Sequence, residues 1–274
     1  MELFIFIYRQ FIKFMDTLGR GFSTKIDNNL ILKIASNTSE IRKIASFNVK
    51  IHGEPISDFI ISLFTEDPFR EESFWLYLED SRTGEILSSL ALLTNYWSFG
   101  GINIKIAEMG FVGTLEEHRS KGLYRILNTF YEKLVSQEGL FVSILRGIPY
   151  FYSNYGYGFS LPTDTGYCLN VKNFKAQESG GEHSIRKAVK SDFNMIGKLY
   201  NEIFDSMFIS TTFNHESFHY RFNSKNNSDN FGTTYVVQKN QDMIGFFTLA
   251  EVHHTDNQAI FLISNMEAVA VKEV

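Results

Sequence analysis

The stretch from Ile106 to Phe130, IAEMGFVGTLEEHRSKGLYRILNTF, decides how the chain is read. An apolar run ends at Val112, a polar turn covers Gly113 to His118, and Arg119-Ser120-Lys121-Gly122 follows. From Leu123 the apolar residues fall at Leu123, Ile126, Leu127, Phe130 and Leu134, one face of a 3.6-residue period. The stretch is a strand, a turn and a helix, with two cations and a glycine where the helix opens. The first N–H groups of a helix lack an internal partner and carry partial positive charge. Gly122 has no Cβ, so a bulky anion can approach the backbone there. The site suits a phosphate or pyrophosphate. Equally, Arg119 and Lys121 fit a solvated, charged first turn. The P-loop spacing is absent, and Gly110 and Gly113 lack the third glycine of a dinucleotide fingerprint.

Upstream, Leu30 to Ala35 reads as a strand, and Ser36-Asn37-Thr38-Ser39-Glu40 is a helix start with Ile41, Ile44 and Phe47 on one face. Pro55 opens a second helix carrying Ile56, Phe59, Ile60 and Leu63. Phe74 to Leu78, the turn Asp80 to Gly84, and Ile86 to Tyr96 form a hairpin; Ile102 to Val112 returns after a second turn. Downstream, the helix ends near Gly139. Leu140 to Leu145 is an apolar strand expected at the centre of a sheet. Pro149 starts a short helix, and Phe159 to Val171 supplies the last strands.

Two motifs in this order carry a resemblance. Arg119 to Tyr124 after a strand resembles the coenzyme A signature Arg/Gln-x-x-Gly-x-Gly/Ala of the GNAT N-acetyltransferases, with Tyr124 in place of the small last residue. Arg119-x-x-Gly122-Leu123-x-Arg125 is closer to the Eis-like branch (enhanced intracellular survival). Leu145-Arg146-Gly147 and the aromatic run Phe151 to Phe159, FYSNYGYGF, resemble a second signature of that branch. The resemblance covers about Asn29 to Val171. It implies an α+β fold, an α/β sandwich: a twisted mixed sheet with flanking helices. It implies acetyl-coenzyme A as cosubstrate and an amine, small-molecule or peptide, as acceptor. Backbone groups at Phe111, Val112, Gly113 and Thr114 would pair with the pantetheine arm. The amides of Arg119, Ser120, Lys121, Gly122, Leu123 and Tyr124 would hold the pyrophosphate. Tyr152 matches the family tyrosine that protonates the leaving thiolate; a phenol keeps its proton at neutral pH and can still release it to a forming thiolate. By composition alone, Tyr150, Tyr152, Tyr155 and Tyr157 are packing aromatics.

The base is harder to place. By alternation Glu108 shares a strand face with Gly110 and Val112 and could reach the cleft, or it could be a paired surface carboxylate. Eis-like enzymes use a C-terminal carboxylate on a further domain that nothing here matches. The expected activity is N-acetylation of a primary amine by direct attack. The alternative is a catalytically inactive acyl-coenzyme A-binding regulatory or assembly module.

The bulk numbers agree with a globular enzyme. The chain has 274 residues, 44% hydrophobic and 21% charged, with 27 Phe and 13 Tyr to build a core. A formal charge of −5 argues against a nucleic-acid partner. One cysteine, Cys168, excludes an intrachain disulfide and suits a cytoplasmic setting; its apolar neighbours mark it as a core residue. The apolar run in residues 1–15 is too short to span a membrane. Residues 1–24 read as an extension that packs on the domain or on a neighbouring copy in a homo-oligomer. His215 and His219 share a helix face, but no third ligand converges and no metal is expected.

Residues 25–175 form the expected catalytic domain, and Lys175 to Glu182, KAQESGGE, reads as a linker. Beyond it the pattern restarts. Ile185 to Leu199 repeats the first strand and helix start, and Tyr235 to Leu249 repeats the hairpin. Ile260 to Val271 repeats the strand that ends at Val112. Residues 183–274 are expected to be a partial, degenerate second GNAT-like half with no coenzyme A motif.

Overall fold

The computed structural model describes residues 17–53, 56–148, 150–161, 167–170, 182–223, 233–255 and 258–263. These fall into two units. One comprises the residues up to Trp97 with Ile104–Tyr157; the other comprises Ser98–Asn103 with the residues from Gly158 onward.

Apart from the tip Ser98–Asn103, the first unit contains β1 (Ser23–Lys25), β2 (Leu30–Ile34), α1 (Thr38–His52), α2 (Ile56–Thr65), β3 (Phe74–Asp80), β4 (Ile86–Phe99), β5 (Ile102–Thr114), α3 (Leu123–Gln137) and β6 (Ser143–Leu145). The strands lie in the order β1-β2-β3-β4-β5-β6. β1, β2, β3 and β4 pair antiparallel, and β5 pairs parallel with β6, so the sheet is mixed. Helix α1 starts where the sequence says it should: the Asn37 side chain accepts from the Glu40 N–H, and the Glu40 carboxylate accepts from the Ser36 N–H. Gly53 ends the helix at φ 84°, its N–H bonded to the Val49 carbonyl.

Tyr77 of β3 donates to Glu40 of α1 at 2.8 Å, which puts Trp75 and Tyr77 on the face covered by α1 and α2. The opposite face is covered by α3, whose Leu127, Phe130 and Leu134 are fully buried. Each such side chain contributes roughly 1.5–3 kcal/mol by leaving water. The α+β class and the mixed sheet with flanking helices are thus observed.

Two strands differ from expectation. The apolar Leu140–Leu145 run gives only the short β6, which pairs with β5 alone among the described residues and ends the strand path. Leu140 is buried in the core, yet Phe141 is 92% exposed, and Ser143 bonds Tyr131 at 2.6 Å and Tyr157 at 2.7 Å. Among the described residues the apolarity goes with closeness to α3 and the aromatic run, with a strand on one side. The second strand is β7 (Tyr167–Asn170), expected in the first sheet; it pairs antiparallel with β12 of the second unit.

The second unit also holds β8 (His183–Lys187), α4 (Phe193–Phe204), β9 (Ile209–Thr211), α5 (His215–Asn223), β10 (Thr233–Lys239), β11 (Asp242–Thr255) and β12 (Gln258–Ile263). Its sheet order is β7-β12-β11-β10-β8. Phe193, Ile196, Leu199, Tyr200, Phe204, Val236 and Phe246 build a core of its own. The extension 1–15, Pro149, most of the linker and the segment after Ile263 lie outside the described residues, as does the side chain of Cys168.

Asp192, at the entry to α4, receives Arg186 at 2.7 and 2.8 Å and the Val189 N–H at 2.7 Å. The Arg186 bond holds its carboxyl below the ordinary 3.8, against a smaller opposing effect of burial. A depressed folded value means the stabilisation is present above 3.8 and is lost as pH falls from there through the folded value. Acid titration of wild type and Asp192→Asn, followed by near-ultraviolet circular dichroism, should show the variant less stable at neutral pH. The two should converge below pH 3.8.

Candidate active site

β5 and β6 are joined at three registers only: Ala107 with Ser143, Glu108 with Ile144, and Met109 with Leu145. β6 stops at Leu145 while β5 continues to Thr114. Beyond Met109, therefore, one edge of β5 has no described strand beside it.

Within that stretch Phe111 has φ 51°. A bulky residue in the left-handed region costs on the order of 1–3 kcal/mol and needs support from its surroundings. The consequence is a bulge. Gly110 turns toward Leu93, and Phe111 stacks on Trp75 (centroids 5.2 Å) and meets Phe59 edge-on (5.9 Å). Two consecutive residues thus address the α1–α2 face, and the strict alternation that placed Val112 beside Glu108 ends at Gly110. Gly113 sits where a Cβ would lie 2.9 Å from Ile51 and 3.2 Å from Phe47, so α1 closes directly on this backbone.

Three side chains hold the carbonyls of the bulge. Ser89 Oγ donates to the Phe111 carbonyl at 3.5 Å, the His52 imidazole donates to the Val112 carbonyl, and Ser88 Oγ donates to the Gly113 carbonyl at 2.8 Å. Asn48 Nδ2 donates to Ser89 Oγ at 3.2 Å and to the Ile44 carbonyl at 2.9 Å. Asn48, Ser88 and Ser89 are completely buried, and Asn48 Oδ1 has no partner among the described residues. An unmet buried acceptor costs about 1–3 kcal/mol. Partial burial pulls His52 below the ordinary histidine value, against the Val112 bond, which favours the charged ring. These four residues did not stand out in the sequence as site residues; the signal was a Ser-Ser pair inside the apolar run of β4 and an Asn on the apolar face of α1.

The helix opening has the shape its sequence requires. Ser120 and Gly122 have φ 61° and 80°, and Gly122 is the residue from which α3 begins, without a side-chain cap. A Cβ built on Gly122 meets nothing within 4 Å, so the space over the first turn is open. The N–H groups that open the helix have no partner in the preceding turn. Arg119, Lys121 and Arg125 are exposed around it, Arg119 at 4.0 Å from Glu116. A concave set of amides bordered by cations fits a diphosphate. The ring of Tyr124 does not fill it. That ring is buried beneath the helix, its hydroxyl 3.2 Å from Asn128 and 3.5 Å from Met109 Sδ.

Tyr124 instead supports the aromatic run. Tyr152, Tyr155 and Phe151 pack on it with centroids at 5.8, 4.8 and 5.3 Å. Tyr152 lies in a short 3-10 turn, Tyr152–Tyr155, just past β6. Its position depends on Gly147, where a Cβ would lie 2.3 Å from Tyr152 Cε2. Among the described residues its hydroxyl has no hydrogen-bond partner. Burial, and then the neighbouring Tyr157, push the phenol above its ordinary value. Tyr157 is tied down through Ser143 to the buried Tyr131. Glu108 lies across the sheet from this group, on the α1–α2 side, and accepts from Asn95 at 3.2 Å. Phe111 to Thr114 lie on the stretch of β5 beyond its pairing with β6, Glu108 lies within the paired stretch opposite Ile144, Tyr152 follows β6 in the chain, and Arg119 to Tyr124 form the separate open turn at the start of α3. Among the described residues, no group of three or more His, Cys, Asp or Glu could hold a metal, and no helix is long and apolar enough to cross a membrane.

Residues 60–160 match the family model of the acetyltransferase (GNAT) domain. Among solved structures, a probable N-acyltransferase from Enterococcus faecalis V583 superposes with a TM-score of 0.62 at 13% identity, over 81% of this chain and 55% of its own. Saccharomyces cerevisiae N-myristoyltransferase with bound myristoyl-CoA gives 0.61 at 12%, over 90% and 68%. A GCN5-related N-acetyltransferase from Kribbella flavida gives 0.58 at 15%, over 87% and 60%. Identities this low establish a shared fold. The chain spans between about half and two thirds of the length of these proteins. No protein of curated function matches it in sequence.

Proposed function

We propose, for a chain that carries a GNAT acetyltransferase domain, that it transfers an acetyl group from acetyl-coenzyme A to a primary amine. The observation that carries this reading is the open, left-handed turn at Gly122 beside a strand edge freed of its partner beyond Met109. The amides of Ser120 to Tyr124 would hold the diphosphate, with Arg119 and Lys121 adding charge. The free edge from Phe111 to Thr114 would pair with the pantetheine arm, leaving the Val112 N–H at the thioester carbonyl. Acetyl-coenzyme A supplies an activated acyl group. The chain's own residues then have three tasks: receive the amine proton at Glu108, polarise the carbonyl at the bulge, and deliver a proton from Tyr152 to the departing sulfur.

The resemblance to the Eis-like branch and a cytoplasmic setting belong to the same reading. So does the second unit as a degenerate repeat. Apart from the short β9 between its helices, its order β8-α4-α5-β10-β11-β12 parallels β2-α1-α2-β3-β4-β5, and β7 lies beside β12 where β6 lies beside β5.

The test is thiol release from acetyl-, octanoyl- and myristoyl-coenzyme A over a panel of polyamines, aminoglycosides and peptide amines. Release with acetyl-coenzyme A and at least one amine is expected. Preference for a long chain would replace the acetyl assignment. Binding without release from any donor would favour a non-catalytic acyl-coenzyme A module.

A further inference from the structure

Three consecutive carbonyls of the β5 bulge accept from side chains: Phe111 from Ser89, Val112 from His52 and Gly113 from Ser88. In a trans peptide the C=O and the following N–H point in opposite directions. Fixing a carbonyl therefore aims the next amide. With the Phe111 carbonyl drawn toward Ser89 of β4, the Val112 N–H points the other way, toward the side from which β6 has departed. Holding the Val112 and Gly113 carbonyls prevents the peptide planes that follow from rotating it back. Asn48 orients Ser89, and it does so from a fully buried position that leaves its own oxygen unmet. Buried polar groups are expensive, and a chain concerned only with packing would place apolar residues at Asn48, Ser88 and Ser89.

We infer that Asn48, Ser88, Ser89 and His52 are positioning residues, which aim the Val112 N–H at the carbonyl oxygen of a bound thioester so that the charge developing there meets a donor already in place. This rests on the acyltransferase reading. It assigns the C-terminal half of α1 a part in the chemistry without contact to substrate. None of the four is a proton carrier in this scheme: each acts through a backbone group.

Two measurements test it. The first follows the Val112 amide by 15N–1H NMR during titration with acetyl-coenzyme A. In wild type the Val112 signal should move downfield as a hydrogen bond forms. In Ser89→Ala, which removes one oxygen and leaves the fold intact, the movement should shrink by about half or more while calorimetry shows the dissociation constant within about twofold of wild type. The second uses His52, at the surface end of α1, where substitution spares the core. His52→Ala should lower kcat about tenfold at unchanged KM for acetyl-coenzyme A, and His52→Gln, whose amide can still donate to the Val112 carbonyl, should recover most of the loss. A purely structural part for these residues would lower Tm and leave the split between kcat and KM, and the rescue, unseen. Binding of acetyl-coenzyme A without movement of the Val112 signal, or His52→Gln as slow as His52→Ala, overturns the inference and leaves the acyltransferase reading standing. Absence of binding in wild type overturns both.

Discussion

Tyr152→Phe is expected to lower kcat by about 100-fold or more, because a positioned general acid typically contributes 10²–10⁴. The ring stays, and with it the contacts to Tyr124, Phe151 and Tyr157, so acetyl-coenzyme A binding and Tm should change little. The effect concerns departure of the thiolate alone. It should therefore be largest with thioesters and smaller with an activated oxygen ester of better leaving group. Burial raises the phenol above its ordinary 10.0, so Tyr152 stays protonated throughout the neutral range and the activity it supports should fall only at alkaline pH beyond that value. Gly147→Ala gives an independent check. The new methyl would collide with the Tyr152 ring, so this variant should lose activity in the same way while retaining its phenol. A Tyr152→Phe enzyme with kcat within threefold of wild type would remove Tyr152 from the chemistry and return it to packing.

Much of this is legible in the sequence, for physical reasons. The α3 face at Leu123, Leu127, Phe130 and Leu134 appears in the core because a helix has one period and one way to bury it. The Asn37–Glu40 cap and the turn before Leu123 were readable because such ends need specific side chains or a residue tolerant of positive φ. Tyr124 was the departure from the family pattern, and the helix phase explains why it is tolerated: its ring points inward and leaves the amides clear. What could not be read was set by tertiary contact. The position of β6 at the end of the path, and β7's place in the other sheet, depend on which strands meet, and an apolar run does not specify its neighbours. The bulge at Phe111 interrupts alternation just after Gly110, and a glycine within a strand does not say that its bulky neighbour takes the positive φ. Ser88, Ser89, Asn48 and His52 gain meaning only once the fold brings them to the carbonyls of that bulge.

Binding of the acyl donor depends on the open turn at Gly122. Arg119→Glu combined with Gly122→Asp puts two carboxylates where a diphosphate is to sit; the space over Gly122 is open, and Asp tolerates its left-handed φ of 80° better than most residues do. Repulsion at this range, screened by solvent, still amounts to a few kcal/mol, enough to weaken binding by 100-fold or more. The fold should survive, because both positions are exposed and the core face of α3 is untouched. Isothermal calorimetry of acetyl-coenzyme A with wild type and with this double variant is the most direct measurement. One binding site in the wild type and none detectable in a variant of unchanged circular dichroism is the predicted result. Equal binding by both proteins would contradict the account.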